Sequence, residues 1–204
     1  MGKTNQVLVF RASLLNGLGR FQGWSRESEK YLYAILDQPG NVSFLERSKA
    51  EEDENYKQLI PYVVMAFGQR IFAYDRSKTT DEARLQGQTS IGIGGHIETI
   101  DAPRGLTDRD FYFNAVKREV LEEVTVASPV RFDKVVGIIN DDSNAVGRVH
   151  FGVVHLWSLS AMDVTPKETV IENPRFLSLP EFDVIQERLE SWSRIALSLV
   201  SESL

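Results

Sequence analysis

No cysteine occurs in the 204 residues. That excludes a disulfide framework, a thiolate metal site and a thiol nucleophile. Long apolar runs are missing too: nothing approaches the roughly 18 consecutive apolar residues of a membrane helix. The first apolar stretch, Val7-Leu8-Val9-Phe10, is too short and wrongly flanked for a signal peptide. Gln6 stands where a myristoylation site needs Ser or Thr. Surplus positive charge is absent, since 23 Lys and Arg against 29 Asp and Glu leave a net charge of −6. This argues against an extended nucleic-acid surface, but not against a small phosphorylated substrate held through a cation. Repeats and low-complexity stretches are also lacking. What remains is an ordinary globular composition, 42% hydrophobic and 25% charged, on a chain long enough for one sizeable core. No membrane association and a cytoplasmic location are the expectations.

Most of the chemical information lies in Arg118-Glu119-Val120-Leu121-Glu122-Glu123-Val124. Three carboxylates stand at i, i+3 and i+4 directly after an arginine. If residues 108–124 are helical, about 100° per residue puts Phe113, Val116, Val120 and Val124 on one arc. Glu119, Glu122 and Glu123 then share a neighbouring face. Like charges at that spacing cost roughly a few tenths of a kcal/mol, and carboxylates in a last turn oppose the helix dipole. A bound cation would offset both penalties, and oxygen-only ligands suit Mg²⁺ or Mn²⁺. A solvated acidic face is the plainer alternative. Upstream, a strand-like run ends in glycines, Ser90-Ile91-Gly92-Ile93-Gly94-Gly95-His96-Ile97-Glu98.

Together the two segments resemble the signature of the Nudix hydrolases, G-x5-E-x7-R-E-U-x-E-E-x-G-U, with U aliphatic. Arg118, Glu119, Val120, Glu122, Glu123 and Val126 match its second half. Gly94-Gly95-His96-Ile97-Glu98 resembles its usual opening. Two departures stand out: residues 99–107 lengthen the loop, and Thr125 replaces the closing glycine. The acid eight before the arginine is Asp110, which either stands in for the family's first glutamate or caps a helix. The chain is most similar to a divergent MutT-like group of predicted phosphoesterases.

The resemblance implies an α/β (α+β) fold, a Nudix-type α/β/α sandwich with a mixed sheet. Residues 1–58 would be an N-terminal extension or small subdomain, and 59–204 the Nudix-like domain with a C-terminal helix. It implies a hydrolase that cleaves a phosphoanhydride in a nucleoside diphosphate linked to another group. Glu119, Glu122 and Glu123, with the carbonyl of Gly95, would hold Mg²⁺ or Mn²⁺, and Arg118 would orient the glutamates. Gly94, Gly95, His96 and Arg76 are the substrate-binding candidates, with Lys78 and Arg84 also available to phosphate. Glu168 and Glu172 occupy the region from which many Nudix enzymes draw a general base. Asp141 and Asp142 are rivals, and a motif glutamate is a further possibility. A Nudix-fold sensor or nucleotide-binding module without catalysis is the alternative function. Isopentenyl diphosphate isomerase chemistry, which the fold also hosts, is disfavoured by the missing thiol.

Elsewhere the pattern predicts strands at 6–10, 42–45, 60–67, 70–74, 89–93, 130–139 and 148–159, with a two-residue turn at Gly68-Gln69. Residues 14–23 read as a loop, 27–36 as a helix, and 46–57 as an exposed charged connection. Thr107 is the expected start of the glutamate helix. Pro174 to Leu179 reads as a short strand before a helix opened by Ser178 and Glu181. Phe182, Ile185, Leu189, Trp192, Ala196 and Leu199 recur at helical spacing, either for core packing or as the seam of a homodimer.

Overall fold

Alternating and continuous apolar runs dominate the chain, and the computed structural model turns them into a mixed α and β fold with a large sheet, as expected. Residues 5–77 and 86–204 are described; Lys78 and Arg84 lie outside them. Two compact units divide the chain: Met1–Pro61 with Gly94–Lys117 and Gly137–Val153, and Tyr62–Ile93 with Arg118–Val136 and Val154–Leu204. Among the described residues no helix is long and apolar enough to cross a membrane.

In the first unit, strand β1 (Gln6–Arg11) carries the buried run Val7 to Phe10. An unbroken apolar run suits a strand covered on both faces. It pairs antiparallel with β3 (Val42–Glu46) from Gln6↔Glu46 to Phe10↔Val42, and with β4 (Tyr56–Phe67) through Val9↔Gln58. Between them come the short helix α1 (Leu14–Leu18), strand β2 (Gly23–Ser25) and helix α2 (Ser28–Leu36). The loop expected at 14–23 thus contains a helical turn, because Leu15 is drawn into the core. Phe21 packs edge-on against Tyr31, with ring centroids 5.5 Å apart.

The charged connection expected at 46–57 is also partly helical, as α3 (Arg47–Glu52). Ala50 is fully buried against Val7 and Val9, and Arg47 pairs with Glu51 at 2.7 Å. One inward alanine and one i,i+4 ion pair suffice to wind a segment that reads as polar throughout. Lys57, on β4, is only 1% exposed. Its ammonium donates to Asp142 Oδ1 at 2.8 Å and to the carbonyls of Gly147 and His150 at 3.0 and 3.1 Å. Burial pushes its pKa down while the Asp142 carboxylate opposes that shift. All three ammonium donors are thereby satisfied, which is the condition for burying a charge.

In the second unit, β4 turns into β5 (Arg70–Arg76) through the predicted hairpin, with Ala66↔Ile71 and Phe67↔Arg70 paired. Gly68 supplies the positive φ of 55° that this turn demands. Strand β12 (Ile171–Ser178) flanks β5, and its ladder shifts register between Glu172 and Arg175. Asn173 has a φ of 49° there and Pro174 follows it, so the proline lacks no ladder partner. The strand expected at 89–93 is split into β6 (Thr89–Ser90) and β7 (Gly92–Gly94). The intervening Ile91 donates its N–H to Ser193 Oγ at 3.0 Å rather than to a strand.

The glutamate helix, α4 (Asp110–Glu123), begins three residues later than Thr107. Asp108 Oδ1 accepts the Asp110 N–H at 2.9 Å and sets that start. The helix runs directly into β8 (Val124–Val126), which pairs with β11 (Val164–Pro166). Strands β9 (Val130–Asn140) and β10 (His150–Leu159) and helix α5 (Ala145–Arg148) fall where strands and a loop were expected. At the C-terminal end, Ser178 and Glu181 form the predicted capping box of α6 (Leu179–Val184). The apolar stripe does not make one helix: the chain breaks before α7 (Ser191–Ser201). Phe182, Leu189, Ala196 and Leu199 are nonetheless buried, the core-packing role of the two expected.

Candidate functional site

The last turns of α4 carry Arg118, Glu119, Glu122 and Glu123, all in the second unit. Val116, Val120 and Val124 are buried as the period predicts, but Phe113 is 44% exposed. The buried arc is therefore rotated away from Phe113, toward Tyr112 and Ala115, both of which are buried. At about 100° per residue, Glu119 and Glu123 then fall inside this arc rather than beside it. Glu122 lies at its rim. The side-chain exposures agree: 14% for Glu119 against 57% for Glu122.

Arg118 resolves part of that conflict. Its Nη1 lies 2.9 Å from Glu119 Oε1 and 3.1 Å from Glu122 Oε2, so a single guanidinium nitrogen bridges two of the three glutamates. Glu123 is less well served. Its Oε2 is buried with no hydrogen-bond partner. Burial raises its pKa to about 7; Arg76 pulls against that shift, whereas Glu119, Glu168 and Glu190 add to it. A carboxylate at the end of a helix receives no help from the helix dipole.

Arg76, at the end of β5, is the main attractive charge acting on Glu123. Its guanidinium stands over the Tyr74 ring, 5.2 Å from the centroid, and its Nε is 3.5 Å from Glu190 Oε2. Burial disfavours the charge on Arg76, but Tyr74, Glu190 and Glu123 together outweigh it and hold the group protonated.

The C-terminal carbonyls of α4 are capped from a distant segment. The Lys167 N–H donates to the Glu123 carbonyl at 2.8 Å, and Lys167 Nζ donates to the Leu121 carbonyl at 2.5 Å. A cation at this helix end compensates the carboxylates that crowd it. The β8·β11 ladder makes the contact, since Thr125 sits opposite Thr165 within it. Position 125 is therefore a strand position, where a β-branched residue packs well. The same ladder brings Glu168 close enough to Glu123 to raise its pKa. Glu172 instead lies exposed on β12, opposite Asp75.

Of the sequence-derived candidates, the fold thus gathers Arg118, Glu119, Glu122, Glu123, Arg76 and Glu168 in the second unit. Gly94, Gly95 and His96 belong to the first unit. There His96 Nε2 lies 3.4 Å from His150 Nε2, and His150 Nδ1 contacts the Val146 carbonyl at 2.7 Å. Asp110 pairs with Arg104 from the inserted loop, and Asn114 donates to the Asp101 carbonyl at 2.9 Å. Asp142 is engaged by Lys57, and Asp141 Oδ1 accepts from Gln22 Nε2 at 2.7 Å. Glu190 was not foreseen. It lies in the break between α6 and α7, where the periodic stripe gave no reason to single it out.

Fitness for a cation can be judged on the donors. Among the described residues no three His, Asp or Glu side chains are already gathered as a ligand set. Glu119 and Glu122 are instead turned onto Arg118. Glu123 offers a buried carboxylate oxygen without a hydrogen bond among the described residues, a group that a hard divalent cation would complete. Oxygen donors of this kind suit Mg²⁺ or Mn²⁺, but with Glu119 and Glu122 held on Arg118 the three glutamates do not form a ligand set in this arrangement.

No protein-family model matches the chain. It is 30% identical over 211 residues to Protein YmaB of Bacillus subtilis (strain 168), covering 98% of this chain and 100% of that protein. It is 29% identical to Tm1382, a candidate Nudix hydrolase, with a TM-score of 0.78 over 98% of this chain and 99% of the other. A bifunctional NMN adenylyltransferase/ADP ribose pyrophosphatase from Francisella tularensis, crystallised with AMP and a manganese ion, matches with a TM-score of 0.51 at 14% identity. That match covers 72% of this chain and 42% of the enzyme. The last likeness speaks for the fold alone. With the arginine and glutamates of the signature on one helix and near-complete coverage of these two relatives, the chain belongs to the Nudix hydrolase superfamily.

Proposed function

We propose that the protein hydrolyses a phosphoanhydride bond in a nucleoside diphosphate linked to another group, using Mg²⁺ or Mn²⁺. The observation that carries this reading is Glu123, whose Oε2 is buried and has no hydrogen-bond partner among the described residues, next to Glu119 and Glu122 on the same helix. The Francisella enzyme, a neighbour in fold, was crystallised with AMP and a manganese ion. A divalent cation bound there would neutralise phosphate charge and make a water molecule nucleophilic.

The chain's own residues contribute the rest. Glu119, Glu122 and Glu123 are the proposed ligands. Arg118 orients Glu119 and Glu122 by ion pairing. Arg76 supplies a permanent positive charge beside Glu123 and is the proposed phosphate contact. Glu168 is favoured over Glu172 as general base because it alone of the two acts on Glu123. Release of nucleotide monophosphate or phosphate from a panel of nucleoside diphosphate derivatives, with each metal, tests the reading. Silence across the panel with both ions would overturn it.

A nucleotide-binding module without turnover is the second reading. It is favoured by the engagement of Glu119 and Glu122 with Arg118 instead of with one another around a common centre. Nucleotide binding without metal-dependent turnover would select it.

A further inference from the structure

Strand β9 is covered on one side along its first half and bare on the other. Strand β10 flanks it, with His155 Nδ1 2.6 Å from Asp133 Oδ1 and the Ser160 N–H donating to the Pro129 carbonyl at 3.0 Å. On the opposite side β2 pairs only with Ile138, Ile139 and Asn140. Among the described residues no strand pairs with residues 130–136 on that side. An open edge of this kind is a template for a further strand. Val130 and Phe132, two apart and so on one face of the strand, are 41% and 49% exposed. Met162, 52% exposed, follows Ala161, whose N–H is held by Ser128 Oγ at 2.8 Å just before β9 begins. Apolar side chains gathered at an open edge mark a surface for another protein.

The strand's own charges select the occupant. Arg131 and Asp133 flank Phe132 with opposite signs, and Lys134 follows. Let a second copy approach antiparallel about a two-fold axis through Phe132. Each Arg131 then stands opposite the partner's Asp133, and each Val130 opposite the partner's Lys134. A slip of one residue sets Arg131 against Phe132 or against Lys134. A slip of two sets Arg131 against itself or Asp133 against itself. Opposite charges directly across a strand pair attract and like charges repel, so the register centred on Phe132 is the favoured one. Both charges are anchored at the edge: Asp133 by His155, and Arg131 by donation from its Nε to Ser160 Oγ at 3.2 Å.

We propose that residues 130–134 of β9 form a self-association edge, at which two copies of the chain pair antiparallel about a two-fold axis through Phe132. Two Arg131–Asp133 ion pairs and the facing Phe132 side chains join the copies. So short a strand makes a small interface, and the dimer dissociates on dilution. Nothing in the pairing depends on a metal or a substrate.

Sedimentation equilibrium of the full chain over roughly 1–200 μM reads the association. The parent should be a reversible dimer. Arg131→Glu sets like charges opposite each other at both ends of the pairing and should weaken the dimer Kd about tenfold or more. A thermal melt matching the parent's shows that this exposed change leaves the fold intact. The cysteine-free chain also allows a test of register. Under oxidation Phe132→Cys should join two copies by a disulfide, because directly opposite residues stand about 4.5–5.5 Å apart at Cα. Val130→Cys should not, since its two copies lie about 14 Å apart in the same register. A parent that stays monomeric throughout, or an unchanged Kd in folded Arg131→Glu, overturns the proposal. So does a Phe132→Cys protein that forms no disulfide dimer, or forms it no faster than Val130→Cys. If Arg131→Glu fails to fold, the two cysteine variants decide.

Discussion

Glu123→Gln in the metal-free protein should raise stability at alkaline pH. The folded-state pKa of Glu123 is raised to about 7 from an ordinary value of 4.5, chiefly by burial, and already includes the attraction of Arg76. The folded state then binds this proton more tightly than the unfolded state. Below pH 4.5 both states are protonated and the group contributes nothing. Between 4.5 and 7 the unfolded chain ionises first, and stability falls as pH rises; above 7 the full penalty applies. A shift of this size corresponds to roughly 3 kcal/mol at about 1.4 kcal/mol per pKa unit.

Gln has the same shape without the charge, so the variant should match the parent near pH 4.5 and exceed it at pH 8. For a chain of this length that is a Tm difference of about 6–12 °C. Thermal melts in EDTA, followed by circular dichroism from pH 4.5 to 8, measure it. Asp75 and Asp142 do not confuse the window. Burial works to raise both, but hydrogen bonds from Arg175 and from Lys57 respectively leave them lowered, so their stabilisation is lost only on strong acidification. Adding Mn²⁺ at pH 8 should raise the parent's Tm more than the variant's. Parallel pH profiles for the two proteins in EDTA would refute the reasoning.

Three further outcomes follow from the packing. Lys57→Met should cost about 3–5 kcal/mol in denaturant melts, because it leaves Asp142 without its buried partner and two carbonyls without a donor; a loss below 1 kcal/mol would contradict the burial argument. Gly92→Ala should destabilise by about 1–3 kcal/mol, since the Tyr62 ring must leave its seat to admit a methyl group; a neutral melt would show that the ring has room to move. Thr125→Gly restores the family's usual residue yet should lower stability by about 1 kcal/mol, because position 125 lies in the β8·β11 ladder. Unchanged or higher Tm in that variant would mean the ladder contributes nothing.

Legibility varied along the chain for identifiable reasons. The 60–74 hairpin, strand 6–10 and the Ser178/Glu181 cap could be read directly, because each is encoded by neighbours within a few residues. The helix at 47–52 could not, since its only core contact is one alanine in a run of charges. Phe113 was placed on the core face by period alone, yet the buried arc turned toward Tyr112. The break before Ser191 was hidden by a stripe that keeps helical spacing across it. A hydrogen bond from the Ser90 hydroxyl to the Glu190 carboxylate, and one from the Glu190 N–H to the Thr89 carbonyl on the same upstream strand, are what hold Glu190 there.

The glutamate set on α4 is a local property. Helical hydrogen bonds join residues four apart, so the spacing of Arg118, Glu119, Glu122 and Glu123 dictates that they share a helix end whatever surrounds them. Composition likewise settles what the missing thiols exclude. How those carboxylates behave is not local. Burial of Glu123, the Arg76 charge held by Glu190, and the Lys167 cap on the helix carbonyls all come from segments remote in the chain. Charge–charge energies and desolvation depend on distance in space and on depth from water, and neither is written in residue spacing. Tertiary structure alone separated three like glutamates into an exposed one and a half-buried one that share Arg118, and one whose Oε2 is buried without a hydrogen bond among the described residues.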